Sequence, residues 1–179
     1  ARVINRVPFP VSFHGVHVSG TVSGGGILNP LYKGMAPRST LISHWFSDIV
    51  TNAPLYFTDF NLIATNNSYT DADDSCAGSG NYDMLSQYVD NQMRQYDKIL
   101  HVFAAGNDGE YTCSPYPDSF ATVKTGWQAA KNVLTVGAID SNYLRAFFSS
   151  RGPVNDGRIK PEITAKGVWQ ISTRQNNTY

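Results

Sequence analysis

The side chains in this sequence best suited to proton chemistry are its four histidines, His14, His17, His44 and His101. An imidazole gains and loses a proton near neutral pH, so one held in a fixed place can carry a proton from a nucleophile to a leaving group. His14 stands at the mouth of Phe13-His14-Gly15-Val16-His17-Val18-Ser19-Gly20-Thr21-Val22-Ser23-Gly24, a stretch that reads as a helix of small residues. Its glycines cost helix stability, because glycine loses more backbone entropy than any other residue when fixed. Close packing against other backbone would offset that cost and hold His14 rigidly. His101 lies inside an apolar run and reads as a satisfied core histidine, while His44 has no partner pattern. Cys76 and Cys113 sit among Ser, Gly, Pro and Asp, whereas a buried free thiol prefers apolar neighbours. A disulfide is the favoured reading and two free thiols the alternative; no further Cys or His lies at metal-ligand spacing.

The elements that would position these groups follow from hydrophobic patterning. Gly24-Gly25-Gly26 and Asn29-Pro30 mark a loop, and Gly34-Met35-Ala36-Pro37 a turn. Residues 40–46 and 62–68 read as strands. Residues 47–60 are ambiguous, with Pro54 arguing against one long helix. Tyr82, Leu85, Tyr88, Val89, Met93 and Tyr96 recur at spacings of three and four, the pattern of an amphipathic helix. The apolar runs 99–105 and 133–138 suit parallel strands covered on both faces. Residues 126–131 are a short helical candidate, and 162–165 and 168–172 read as extended. Strand and helix alternation implies an α/β fold, with functional loops at the carboxyl ends of the strands.

Composition narrows the function classes. A chain of 179 residues with 41% hydrophobic residues can bury a real core and is most simply one domain over residues 1–179. The formal net charge is zero and no Lys or Arg run stands out, so no nucleic acid or anionic membrane partner is expected. No apolar stretch approaches the roughly 20 residues needed to cross a bilayer, and the opening residues do not read as a signal peptide. Gly24-Gly25-Gly26 follows a helix instead of a strand, the wrong context for a phosphate loop.

Five stretches taken together resemble the ordered motifs of the subtilisin-like serine peptidases, peptidase family S8. They are His14-Gly15-Val16-His17-Val18-Ser19-Gly20-Thr21, Gly34-Met35-Ala36-Pro37, Ala104-Ala105-Gly106-Asn107-Asp108-Gly109, Val133-Leu134-Thr135-Val136-Gly137-Ala138 and Phe148-Ser149-Ser150-Arg151-Gly152-Pro153. The resemblance implies a subtilisin-like three-layer α/β fold with a mostly parallel sheet, here incomplete at both ends. It implies His14 as general base and acid, and a structural role for His17. Residue chemistry alone makes Asn107 a turn former; the resemblance makes it the oxyanion donor. Ser68, Tyr69 and Thr70 would bind an extended polypeptide substrate by strand addition, and Ala104, Ala105 and Gly106 would form a small-residue pocket wall. Thr70 replaces the family's usual glycine, Val16 its usual Thr and Lys166 its usual Pro. No cofactor is required for the chemistry, although the acidic loop Asp71, Asp73 and Asp74 is a candidate for structural calcium. The two-cysteine loop resembles that of secreted bacterial members.

The family's order is Asp, His, Ser, yet none of the thirteen residues before His14 is acidic and no Gly-Thr-Ser occurs. The sequence therefore reads as the middle of a peptidase domain, inactive by itself and prone to self-association through exposed apolar sheet surface. The competing reading is a non-catalytic module that uses the Ser68 strand edge to hold a peptide.

Overall fold

The computed structural model describes residues 2–7, 12–70 and 76–174. The chain divides into two compact units, Ala1–Asp48 with Trp169–Tyr179, and Ile49–Val168.

The first unit contains strand β1 (Val3–Asn5), helix α1 (Phe13–Ser23), one 3-10 turn at Pro30–Tyr32 and strand β2 (Leu41–Ser43). β1 and β2 pair in parallel, Val3 opposite Leu41. Helix α1 starts where expected: the Ser12 hydroxyl accepts from the Gly15 N–H at 3.4 Å, an N-cap. Its last carbonyls are met by the Gly34 turn, where Met35 N–H donates to Thr21 O at 3.0 Å, Ala36 N–H to Val22 O at 2.7 Å and Gly34 N–H to Gly24 O at 2.9 Å. That approach leaves no room for side chains. A Cβ on Gly34 would lie 2.5 Å from the Gly24 nitrogen and 2.6 Å from the Gly20 oxygen, and one on Gly20 would lie 2.5 Å from the Ser172 hydroxyl. Gly20 thus has the close packing that its helix penalty requires, whereas Gly15 in the first turn is exposed.

The second unit takes most of helix α2 (Phe46–Phe60), then strand β3 (Ala64–Asn67), helix α3 (Met84–Gln95), strand β4 (Leu100–Ala104), a 3-10 turn at Gly126–Ala129, and strands β5 (Leu134–Ile139) and β6 (Ile163–Lys166). The four strands form one parallel sheet in the order β3-β4-β5-β6. Asp83 caps α3, its carboxylate accepting from the Leu85 and Ser86 N–H groups at 2.9 and 3.0 Å. The core gathers Val50, Val89, Phe103, Trp127, Ala130 and Val133. Phe103 stacks on Trp127 with ring centroids 6.2 Å apart and meets Tyr69 edge-on at 6.1 Å.

Several expectations are corrected. Residues 46–60 form one helix despite Pro54. A proline at that position has no N–H to offer the carbonyl four residues back, at Val50. Gln92 Nε2 donates to that carbonyl instead, at 3.0 Å, so a tertiary contact fills the gap in the helix. The first predicted strand shrinks to Leu41–Ser43 because Phe46 already starts α2, and residues 126–131 make only a 3-10 turn. β4 is covered on one face: His101 and Phe103 are buried, while Leu100 and Ala104 are exposed and Val102 half-buried. Residues 168–172 form no strand, and the three-residue β1 escaped notice because it is too short for a pattern.

Candidate active site

His14 is the second residue of α1 and is exposed. It lines an open cleft of about 510 Å³ together with Phe13, His17 and residues 170–174. The wall of this cleft is tied to the helix by hydroxyls, Ser172 donating to His17 O at 2.7 Å and Thr173 to Val16 O at 2.9 Å. His17 Nε2 lies 3.1 Å from the Gln170 carbonyl, which can only accept, so His17 donates there. His44 faces Asp48 one helical turn on, Nδ1 to Oδ2 at 3.8 Å.

Asn107 lies in the second unit, on the loop that leaves the carboxyl end of β4. Its side chain is exposed while the backbone on both sides is held. Ala105 N–H donates to Val136 O at 2.9 Å, Ser150 N–H to Gly106 O at 3.1 Å, and Gly109 N–H to Phe148 O at 2.8 Å. The Ser150 hydroxyl also accepts from the Asp108 N–H at 3.1 Å. Gly106 has φ of +114°, and a Cβ there would meet Ser150 Oγ at 2.9 Å, so this position requires glycine. Behind the loop, Lys124 Nζ pairs with Asp108 Oδ2 at 3.0 Å, the two side chains 4% and 10% exposed. A polar carboxamide is thus presented to solvent from a fixed loop, the arrangement needed to donate a hydrogen bond to a charge that develops at a set point. The contribution of Ser150 was visible only as part of a motif, and nothing in the sequence pattern pointed to Lys124.

Ser68, Tyr69 and Thr70 follow β3 and are half-buried. Because β3 and β4 run parallel with Asn67 opposite Phe103, residues 68–70 and residues 104–107 emerge side by side at one end of the sheet. Tyr69 is anchored twice, its carbonyl accepting from Gln128 Nε2 at 2.7 Å and its hydroxyl donating to Asn67 Oδ1 at 2.9 Å. Ala104 is exposed and Gly106 half-buried, whereas Ala105 is 2% exposed and packs with Val123, Ala129 and Val154. Cys76 and Cys113 form a disulfide, Cα atoms 5.3 Å apart, which removes the free-thiol alternative. Asp71, Asp73 and Asp74 lie outside the described residues, among which no three His, Cys, Asp or Glu side chains gather as a metal site and no helix is long and apolar enough to cross a membrane.

His101 is fully buried and both ring nitrogens are bonded, Nδ1 to Thr65 Oγ1 and Nε2 to Gln92 Oε1, each at 2.8 Å. Burial pushes its pKa from 6.5 down to about 4. The unfolded chain takes up this proton near pH 6.5 and the folded chain refuses it until about pH 4. Unfolding free energy is therefore unaffected by His101 above pH 6.5 and falls as the pH drops from 6.5 to about 4, by on the order of 3 kcal/mol. Denaturant melts across that range, paired with a ring nitrogen NMR titration, check this. A His101 that titrates near 6.5 in the folded protein contradicts it.

The subtilase family model matches residues 10–179, a span that takes in both units. The chain is 31% identical over 195 residues to serine protease AprX of Bacillus subtilis, covering 96% of this chain and 41% of that protein. It is 33% identical over 177 residues to subtilisin DY of Bacillus licheniformis, covering 93% of this chain and 55% of that protein. The chain therefore spans about half, or less, of the length of these relatives. Among solved structures it is similar to the CspB protease of Clostridium perfringens, with a TM-score of 0.75 at 16% identity, covering 94% of this chain and 64% of that one. It is also similar to the prenylagaramide maturation protease PagA, with a TM-score of 0.69 at 21% identity, covering 97% and 58%. At such identities the structures speak for the fold, and the family match settles membership: the chain belongs to the subtilase family, peptidase S8.

Proposed function

We propose that this chain is part of the catalytic domain of a secreted, bacterial-type serine endopeptidase. His14 takes the proton from a serine hydroxyl as that oxygen attacks the scissile carbonyl, then gives it to the departing amine. Asn107 donates its amide N–H to the oxygen on which negative charge builds. The substrate polypeptide lies extended along residues 68–70, against the small residues 104–106. The serine and the aspartate that orients His14 come from sequence outside these 179 residues. In their absence the isolated chain has no nucleophile to activate, and its half-covered sheet favours self-association.

The observation that carries this reading is the family match, which runs through both units and so includes His14 and the Asn107 loop. The full-length protein is expected to cleave denatured casein, and residues 1–179 alone to leave it intact under the same conditions. Casein untouched by the full-length protein, or cut by the 179-residue chain alone, contradicts the proposal.

A further inference from the structure

Five hydrogen bonds in the second unit join end to end and run in one direction. Two backbone carbonyls fix that direction, because a carbonyl only accepts. At one end Asn67 Nδ2 donates to Val102 O at 3.0 Å, which identifies the nitrogen of that amide and leaves Oδ1 to accept from the Tyr69 hydroxyl at 2.9 Å. Asn67 Nδ2 also donates to Thr65 Oγ1 at 2.7 Å, and the Thr65 hydroxyl lies 2.8 Å from His101 Nδ1, to which it donates when the imidazole proton is on Nε2. At the other end Gln92 Nε2 donates to Val50 O at 3.0 Å, the carbonyl that Pro54 deprives of its helix partner. Gln92 Oε1 is then an acceptor, and the His101 proton lies on Nε2, 2.8 Å away. The chain reads Tyr69 to Asn67 to Thr65 to His101 to Gln92 to Val50. Thr65, Asn67, Gln92 and His101 are each less than a tenth exposed, so water cannot replace a missing link.

We infer that His101, held neutral as its Nε2–H tautomer, is a positioning residue for the peptide-binding segment: through Thr65 and Asn67 it sets the Tyr69 side chain, and with it the course of residues 68–70. The inference rests on the proposal that residues 68–70 receive an extended peptide. Its reason is geometric. Tyr69 is held at its carbonyl by Gln128 and at its ring edge by Phe103, and the hydroxyl link to Asn67 restrains the far end of the ring. With that link cut, the hydroxyl end of the ring loses its polar tie to the core and the neighbouring backbone holds its register less firmly. Register is what strand addition reads.

The test titrates the full-length protein with acetyl-tetraalanine amide, following the backbone amide resonances of residues 68–70 and the ring nitrogens of His101 by NMR. The wild-type protein is expected to show a proton on Nε2 and none on Nδ1, and shifts at residues 68–70 that saturate with peptide. Thr65→Val keeps the side-chain shape and removes the hydroxyl; it is expected to move the Nδ1 resonance toward that of an unbonded imidazole and raise the peptide Kd about tenfold. Thr65→Ser, which restores the hydroxyl, is expected to return both readouts to within twofold of wild type. Tyr69→Phe, which removes only the first link, is expected to raise Kd to the same extent with the His101 tautomer unchanged, and it decides the matter if Thr65→Val does not fold. A wild-type Kd in Tyr69→Phe or in folded Thr65→Val, or a proton on Nδ1 in the wild type, overturns the inference while peptide binding at residues 68–70 stands. Wild-type protein with no peptide shifts at residues 68–70 overturns the binding proposal and the inference with it.

Discussion

In the full-length protein, His14→Ala is expected to lower turnover of a peptide substrate by about 10⁶-fold, the size of the loss when a subtilisin is deprived of its own histidine. A serine hydroxyl at neutral pH is almost wholly protonated and a poor nucleophile, so attack depends on a base that removes the proton as the new bond forms. The same imidazole must then protonate the leaving amine. The other described histidines are engaged elsewhere: His17 with the Gln170 carbonyl, His44 with Asp48, and His101 in the core of the second unit. The residual rate should reflect substrate binding and the oxyanion donors alone. Because His14 is exposed near the start of its helix, the substitution should change folding stability by no more than about 0.5 kcal/mol. Comparable melting temperatures beside a collapse of kcat would assign the loss to chemistry.

Asn107→Leu is the second large expectation, a fall in kcat of about 10²- to 10³-fold with KM nearly unchanged. The magnitude is that known for the oxyanion asparagine of a subtilisin; what this structure adds is the reason the effect should fall on kcat. The Asn107 side chain makes no hydrogen bond within the described chain, while the backbone at Gly106, Asp108 and Gly109 is pinned by residues 148–150. A leucine leaves that loop in place and removes only the donor. Its contribution appears when charge builds on the carbonyl oxygen, after substrate is already bound, so binding is spared. A variant in which KM rises and kcat holds would instead place Asn107 in substrate binding. Steady-state kinetics on one peptide substrate separates the two outcomes.

What could be read from the sequence follows from the range of the interactions involved. Helix α1 was legible because its run of small residues is a local signal, and the packing at Gly20 supplied the reason that residue is small; its N-cap Ser12 is a finding of the structure. The strands β4 and β5 were legible as apolar runs, yet coverage of β4 on only one face was not, since a run of apolar residues does not say what lies over them. Pro54 misled for a related cause. Its cost inside α2 is set by whether the orphaned Val50 carbonyl finds a donor, and that donor comes from Gln92, 42 positions away from Val50.

The site residues divide in the same way. His14, Asn107 and residues 68–70 were nameable from motifs, and their immediate supports were not. Lys124 reaches the Asn107 loop from the irregular segment ahead of the 3-10 turn, and the Thr65 and Gln92 partners of His101 are brought in by the sheet register and by α3. His101 was read as a satisfied core histidine, and so it is; the sequence held no sign that its satisfaction extends by way of Asn67 to Tyr69.

The most direct measurement is labelling of the full-length protein by a fluorophosphonate probe, which bonds covalently to a serine hydroxyl only when a base activates it. The wild-type protein should label at a single serine, lying outside these 179 residues, and His14→Ala should label at least about 10³-fold more slowly, in keeping with the lost general base. A wild-type protein that does not label, or a His14→Ala protein that labels at the wild-type rate, would contradict the account.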